Sequence, residues 1–172
     1  MPYIRIYDPK EVRHRRLSPH FSAIEFACKH CGKLIINDEL VCRFEQLREA
    51  IKSPIKITSG FRCLEHNRQI GSKDTSLHVK GDAADFVTLR SLKGIDVLFK
   101  ATETFNRVGY YQSSIDPNRA YIHADLGPKH LYWLSYYDAV KRKRLYIYYN
   151  SLEHMLSAMR NDKKINWLSL VI

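Results

Sequence analysis

Ser76-Leu77-His78-Val79-Lys80-Gly81-Asp82-Ala83-Ala84-Asp85-Phe86-Val87 places a histidine and an aspartate seven positions apart around a glycine. Gly81 permits a sharp reversal of the backbone, and residues 83–87 read as a short buried strand that carries a carboxylate. A buried carboxylate needs a partner, and a cation is the economical one. Further along, Tyr121-Ile122-His123-Ala124-Asp125-Leu126 offers a second short strand with another histidine, able to lie beside the first. Neutral imidazole and ionised carboxylate are donors that zinc accepts. A mononuclear catalytic zinc takes three protein groups and keeps its fourth position for water. His78, Asp85 and His123 are therefore the candidate ligands. A lone histidine beside a glycine and an aspartate is more often a surface or capped-turn residue than a ligand, and the combination carries the signal.

Outward from this stretch, the pattern predicts an α+β domain of short strands set between helices, and not a parallel doubly wound sheet. Asn37 and Asp38 mark a helix start, and Leu40, Phe44, Leu47 and Ile51 recur at helical spacing, with Pro54 ending the run. Cys42 is expected as a buried thiol of that amphipathic helix. A strand is expected over 55–58, a turn at Ser59-Gly60 and a short helical segment over 64–70 ending at Gly71. Ser91 is expected to cap a helix with Ile95, Leu98, Phe99 and Thr102 on one side. Strands follow over 108–111 and 121–126, joined by a turn at Asp116-Pro117-Asn118. Leu145 to Tyr149 reads as a strand, and Leu152, Met155, Leu156 and Met159 as one face of a helix.

The fixed residues Ser76, His78, Gly81, Ala83 and Asp85 match the signature Ser-x-His-x-x-Gly-x-Ala-x-Asp of the zinc D-Ala-D-Ala carboxypeptidases and endopeptidases, peptidase family M15. Ile57-Thr58-Ser59-Gly60-Phe61-Arg62 and Glu65-His66-Asn67 resemble a further block of the bacterial and phage-type branch. The resemblance covers about residues 20–134 and implies a hedgehog/DD-peptidase-like fold, with a central antiparallel sheet flanked by helices and an open zinc cleft. It implies hydrolysis of a peptidoglycan stem peptide or crosslink by metal-activated water, with Arg62 stabilising the oxyanion or binding substrate and Ser76 bonding the peptide. Several branches of the family place an acid three residues before the second ligand histidine, where this chain has Ala120. Asp125 projects to the same strand face as His123 and is the candidate for general base or for orienter of that ring. It could equally serve backbone donors at the strand end. Asp82 and His66 are weaker candidates for the base.

Four cysteines allow several readings. Cys28-Lys29-His30-Cys31 has zinc-knuckle spacing, and Cys63 with His66 could complete a structural Cys3His site. Cys28 or Cys31 could instead bridge Cys63 in an oxidising compartment, or all could be plain buried thiols.

With 172 residues and 45% hydrophobic composition the chain suits one compact domain. The expected division is a basic N-terminal arm over 1–19, the peptidase domain over 20–134 and a basic, aromatic extension over 135–172 packed on it. No apolar run reaches the length of a membrane span, and the N-terminus lacks the apolar segment of a classical signal peptide. A wall target would then need another delivery route, as for a phage-type lysin acting at the bacterial cell wall or periplasm. Net charge is +10, and Lys141-Arg142-Lys143-Arg144 is the densest basic run. Such a run is usually solvated, but it could hold an anionic cell-envelope polymer. The alternative function is a non-catalytic module that keeps the zinc fold and binds wall polymer or nucleic acid, with Tyr146, Tyr148 and Tyr149 as stacking surfaces. Retention of Arg62, Ser76 and the three ligands favours a monomeric peptidase acting on peptidoglycan peptides and disfavours nucleic acid as partner.

Overall fold

The computed structural model describes residues 3–116 and 118–172. Met1 and Pro2 of the expected arm, and Pro117 of the expected turn, lie outside the described residues. Strand β1 (Ile4–Tyr7) leads into a one-turn helix α1 (Pro9–Val12), where Asp8 and Glu11 form a reciprocal capping box. Helix α2 (Ala23–Phe26) follows, then β2 (Leu34–Asn37), which pairs antiparallel with β1. Residues 4–7 of the expected arm are thus part of a small two-stranded sheet.

Helix α3 (Asp38–Ile51) begins where Asn37 Oδ1 accepts from the Glu39 N–H at 3.1 Å. It ends at Lys52, whose left-handed backbone stops the helix two residues ahead of Pro54. Leu40, Phe44 and Leu47 are buried, whereas Cys42 is exposed. The expectation of a buried Cys42 is therefore corrected: it lies two residues beyond Leu40, well round the helix from the buried stripe. Phe44 is the hub of the aromatic core. Its ring meets Phe105 at 5.1 Å, Phe86 at 5.4 Å, Phe26 at 5.9 Å and Phe21 at 6.1 Å between centroids. Phe44→Ala is expected to lower stability by about 3–5 kcal/mol, because it removes both the ring's transfer free energy and its contacts with four others. Urea denaturation would measure this, and a loss under about 1 kcal/mol would mean that the core collapses around the site.

Strand β3 (Ile55–Ser59), helices α4 (Leu64–Gln69) and α5 (Leu77–Lys80), and strand β4 (Ala83–Thr88) come next. Helix α6 (Gly94–Thr104) is capped at Lys93 and buries Val97, Leu98 and Ala101, while Phe99 is exposed. Leu98 is buried and Ile95 packs against the core as expected, but the later start leaves Ser91 outside the helix, and Val97 and Ala101 complete the buried side in place of Phe99 and Thr102.

Strands β5 (Arg107–Gln112), β6 (Ala120–Asp125), β7 (Leu131–Asp138) and β8 (Lys143–Tyr149) and helix α7 (Leu152–Asn161) complete the regular elements, with a 3-10 turn at Trp167–Ser169. The main sheet has six strands in the order β3-β4-β6-β5-β7-β8. Every pairing is antiparallel except β5 with β7. The central sheet is thus mixed and not wholly antiparallel: β6 returns as a hairpin beside β5, and its connection then carries β7 to the other side of β5, where it must run parallel. The chain is a mixed α+β protein.

Strand alternation divides the sheet into two chemically different faces. Ala84, Phe86, Val108, Tyr110, Ile122, Ala124 and Leu134 are buried in the core. The alternate residues, which include Asp85, Tyr111, Tyr121, His123, Trp133, Arg144 and Tyr146, face a cleft. Strand β7 runs continuously through residue 134, and β8 is a full sheet member, so both contribute to that face.

Candidate metal centre and peptide cleft

Gly81 closes α5 in the left-handed region (φ +77), and a Cβ there would stand 2.2 Å from the Ile35 carbonyl oxygen. The reversal therefore needs glycine, and it brings α5 back over β4. Asp85 and His123 are direct cross-strand partners on β4 and β6, and His78 reaches them from α5. His123 Nδ1 lies 2.8 Å from Asp85 Oδ1 and 3.2 Å from His78 Nε2, and His78 Nε2 is 3.4 Å from Asp85 Oδ1. A tetrahedral ion with bonds of about 2.0–2.2 Å separates its ligand atoms by about 3.3–3.6 Å. Two of the three edges are close to that length, and the third is shortened to that of a hydrogen bond.

The outer nitrogens are held. His78 Nδ1 is 2.7 Å from the Gly60 carbonyl oxygen and donates to it, and His123 Nε2 is 3.0 Å from Asp125 Oδ2. Each imidazole thus presents its other nitrogen to the common point, which is how metal-binding histidines are usually oriented. Asp125 is 2% exposed. Its oxygens also accept from the Gly127 N–H at 2.8 Å and pair with Arg107 Nε at 2.9 Å.

The electrostatics follow from this crowding. Burial opposes the charged form of Asp85, but the two histidines overcome it and hold the carboxyl far below its usual range. Burial also dominates at His78 and lowers its pKa. At His123 burial pulls the same way but is outweighed by Asp125 and Asp85, so the ring is raised to about 9.

Arg62 lies against the cluster with its guanidinium 4.0 Å from Asp85 Oδ2. It is buried, and its Nε has no hydrogen-bond partner among the described residues. Ser76, at the start of α5, lines the same cleft of about 970 Å³. Tyr121 is there too, its hydroxyl pushed up to about 12 by burial.

The chain matches the peptidase M15 family over residues 16–125, well over half of its length. It belongs to peptidase family M15. Membership makes it a metallopeptidase of a family that is zinc-dependent in general, and the donor set of His78, Asp85 and His123 fits such an ion. A comparison with curated proteins found no match.

In this M15 peptidase the structure brings His78, Asp85, His123, Asp125, Arg62 and Ser76 to one site. His66 lies apart from it, with Nδ1 3.5 Å from Cys28 Sγ. Asp82 is also outside the cleft lining and accepts from Asn37 Nδ2 at 2.9 Å. Arg107, Tyr111 and Trp133 line the cleft without having been foreseen from sequence, and Arg144, Tyr146 and Tyr148, named there only as part of a polymer-binding surface, line it too. Arg144, from the basic run expected to be solvated, lies over the Tyr111 and Tyr121 rings at 5.8 and 6.0 Å and bonds the Gln112 carbonyl at 3.2 Å. For Trp133 the aromatic richness of residues 131–137 was the available signal, since such runs favour strands.

Proposed function

We propose that the chain is a zinc-dependent peptidase that hydrolyses a peptidoglycan stem peptide or crosslink, with His78, Asp85 and His123 as the ligands of one catalytic zinc in an open cleft. The observation that carries the reading is the convergence of three donors, two of them imidazoles whose outer nitrogens are held, beside a buried arginine whose Nε has no partner among the described residues. Zinc, when bound, supplies Lewis acidity and lowers the pKa of the water it holds. The protein's part is positioning. Gly60 and Asp125 fix the ring tautomers, Arg62, which lines the cleft, offers its guanidinium to a substrate carboxylate or developing oxyanion, and Ser76 bonds the peptide.

Asp125 acts in this reading through His123. Its three partners restrain it, and it sits on the nitrogen turned away from the donor cluster, so it is a positioning residue. Asp125→Asn is expected to weaken zinc affinity and lower turnover together, each by about 10–100-fold. Competition with a chromogenic chelator, run beside the activity assay, separates the alternatives: unchanged zinc affinity with collapsed turnover would make Asp125 the general base.

The peptidoglycan assignment draws support from the resemblance of the His78 and Arg62 motifs and from the charge of the cleft. Arg62, Lys73, Arg107, Lys143 and Arg144 line it against the carboxylates of Asp85 and Asp125. A cationic cleft suits peptides that carry several carboxylates, as wall stem peptides do. The domain division proposed from sequence places this chemistry within residues 20–134, while 135–172 adds the β8 wall. Incubation of the protein and its His78→Ala variant with purified sacculi tests the function through release of new amino groups. Zinc-dependent release confined to the parent protein is expected. Absence of release from both, with retention on the polymer, would favour a binding module.

A further inference from the structure

A second cluster of metal-binding side chains lies outside the cleft lining. The Sγ atoms of Cys28, Cys31 and Cys63 all lie within 4.8 Å of one another, and all four cysteines of the chain are free thiols. We propose that Cys28, Cys31 and Cys63, with His66 as fourth donor, bind a second zinc ion that is structural and clamps the loop bearing Arg62.

The distances separate a metal site from a disulfide. Cys28 Sγ is 3.7 Å from Cys63 Sγ. A disulfide requires about 2.05 Å, whereas two sulfurs on a tetrahedral zinc with bonds of about 2.3 Å stand about 3.8 Å apart. His66 Nδ1 is 3.5 Å from Cys28 Sγ, and the sulfur-to-nitrogen edge of the same tetrahedron is about 3.5 Å. Cys28 is buried and its sulfur accepts from the Cys63 N–H at 3.4 Å, a contact that favours thiolate.

Sequence and topology supply the donors in two pairs, Cys28-x-x-Cys31 from the turn after α2 and Cys63-x-x-His66 from the start of α4. His30 also approaches, with Nδ1 3.6 Å from Cys63 Sγ, but it is exposed and its other nitrogen faces Glu65 at 3.7 Å. The tight set within 4.8 Å holds the three sulfurs and neither histidine, so burial makes the choice: His66 is half-buried and its Nδ1 contacts the buried thiol, and it is assigned as the fourth donor.

The clamp has a place in the architecture. The loop over 60–63 is already pinned to α2, since the Phe61 N–H donates to the Phe26 carbonyl at 2.7 Å. That loop supplies the Gly60 carbonyl that fixes His78 and the Arg62 guanidinium beside Asp85. An ion joining Cys63 to Cys28 and Cys31 would hold both groups in register with the first donor cluster.

Cobalt substitution reads the second site without any activity assay, because only thiolate ligands give an intense sulfur-to-cobalt band in the near ultraviolet, and the first cluster has none. The parent protein loaded with Co2+ is expected to show that band with tetrahedral visible absorption, and His78→Ala is expected to keep it. Cys31→Ser is expected to lose part of the near-ultraviolet intensity and His66→Ala to keep that band but shift the tetrahedral visible absorption, while His30→Ala and the exposed Cys42→Ser leave both intact. Zinc content should fall from about two ions per chain in the parent to about one in either His78→Ala or Cys31→Ser. A parent protein without the band overturns the proposal, as does a Cys28–Cys63 disulfide found by mass spectrometry. A shift of the visible absorption in His30→Ala, with none in His66→Ala, would overturn the assignment of the fourth donor. Failure of peptidoglycan cleavage leaves this spectrum unchanged, so the two readings fail separately.

Discussion

His78→Ala is expected to abolish peptide hydrolysis, by about a thousandfold or more, while the fold persists. His78 is 1% exposed and contributes one of three convergent donors, so its loss leaves Asp85 and His123 to hold an ion alone. The Lewis acidity supplied at such a site is worth several kcal/mol of transition-state stabilisation, and each 1.36 kcal/mol is about tenfold in rate. The variant should also lose the corresponding zinc equivalent, measured by atomic spectrometry after dialysis. Retained activity at full zinc content would move the metal elsewhere. Thermal unfolding provides the control, because truncating a buried ring also costs packing.

Arg62→Met is expected to lower kcat/KM by about 100–1000-fold with zinc retained, which is the scale of losing one preorganised donor to developing negative charge. Methionine keeps much of the buried stem and removes only the charge and its N–H groups. The division between parameters identifies the contact: a fall in kcat means transition-state stabilisation, and a rise in KM with kcat unchanged means binding of a substrate carboxylate in both states. Arg62→Lys is expected to restore little, because a point charge does not reproduce the planar fork. Activity within about tenfold of the parent would remove Arg62 from the site's chemistry.

The legibility of this site varied with the range of the interactions involved. His78, Gly81, Asp85 and His123 stand in short stretches whose strand and turn patterns are local, so the residues that converge could be read directly. The cysteines could be grouped by spacing, but whether they formed a metal site, a disulfide or plain core depended on separations of a few ångströms. Arg107 became visible only through the register that sets it opposite Asp125 on the neighbouring strand. Trp133 lies across Gly109, where a Cβ would come within 2.2 Å of the ring, and its ring approaches His123 at 5.1 Å. That contact depends on β7 lying parallel to β5, a pairing between residues well separated in sequence.

Sequence alone determined the family signature, the donor types and the mixed α+β character, because these rest on residue chemistry and short-period patterns. Tertiary structure alone decided that Asp125 faces the outer nitrogen of His123 and that His66 lies with the cysteines instead of in the cleft. It also decided that the basic run near the C-terminus contributes Arg144 to the cleft wall. The physical reason is the same in each case: spacing along the chain sets which faces a residue can occupy, whereas sheet register and backbone reversals set what stands opposite it.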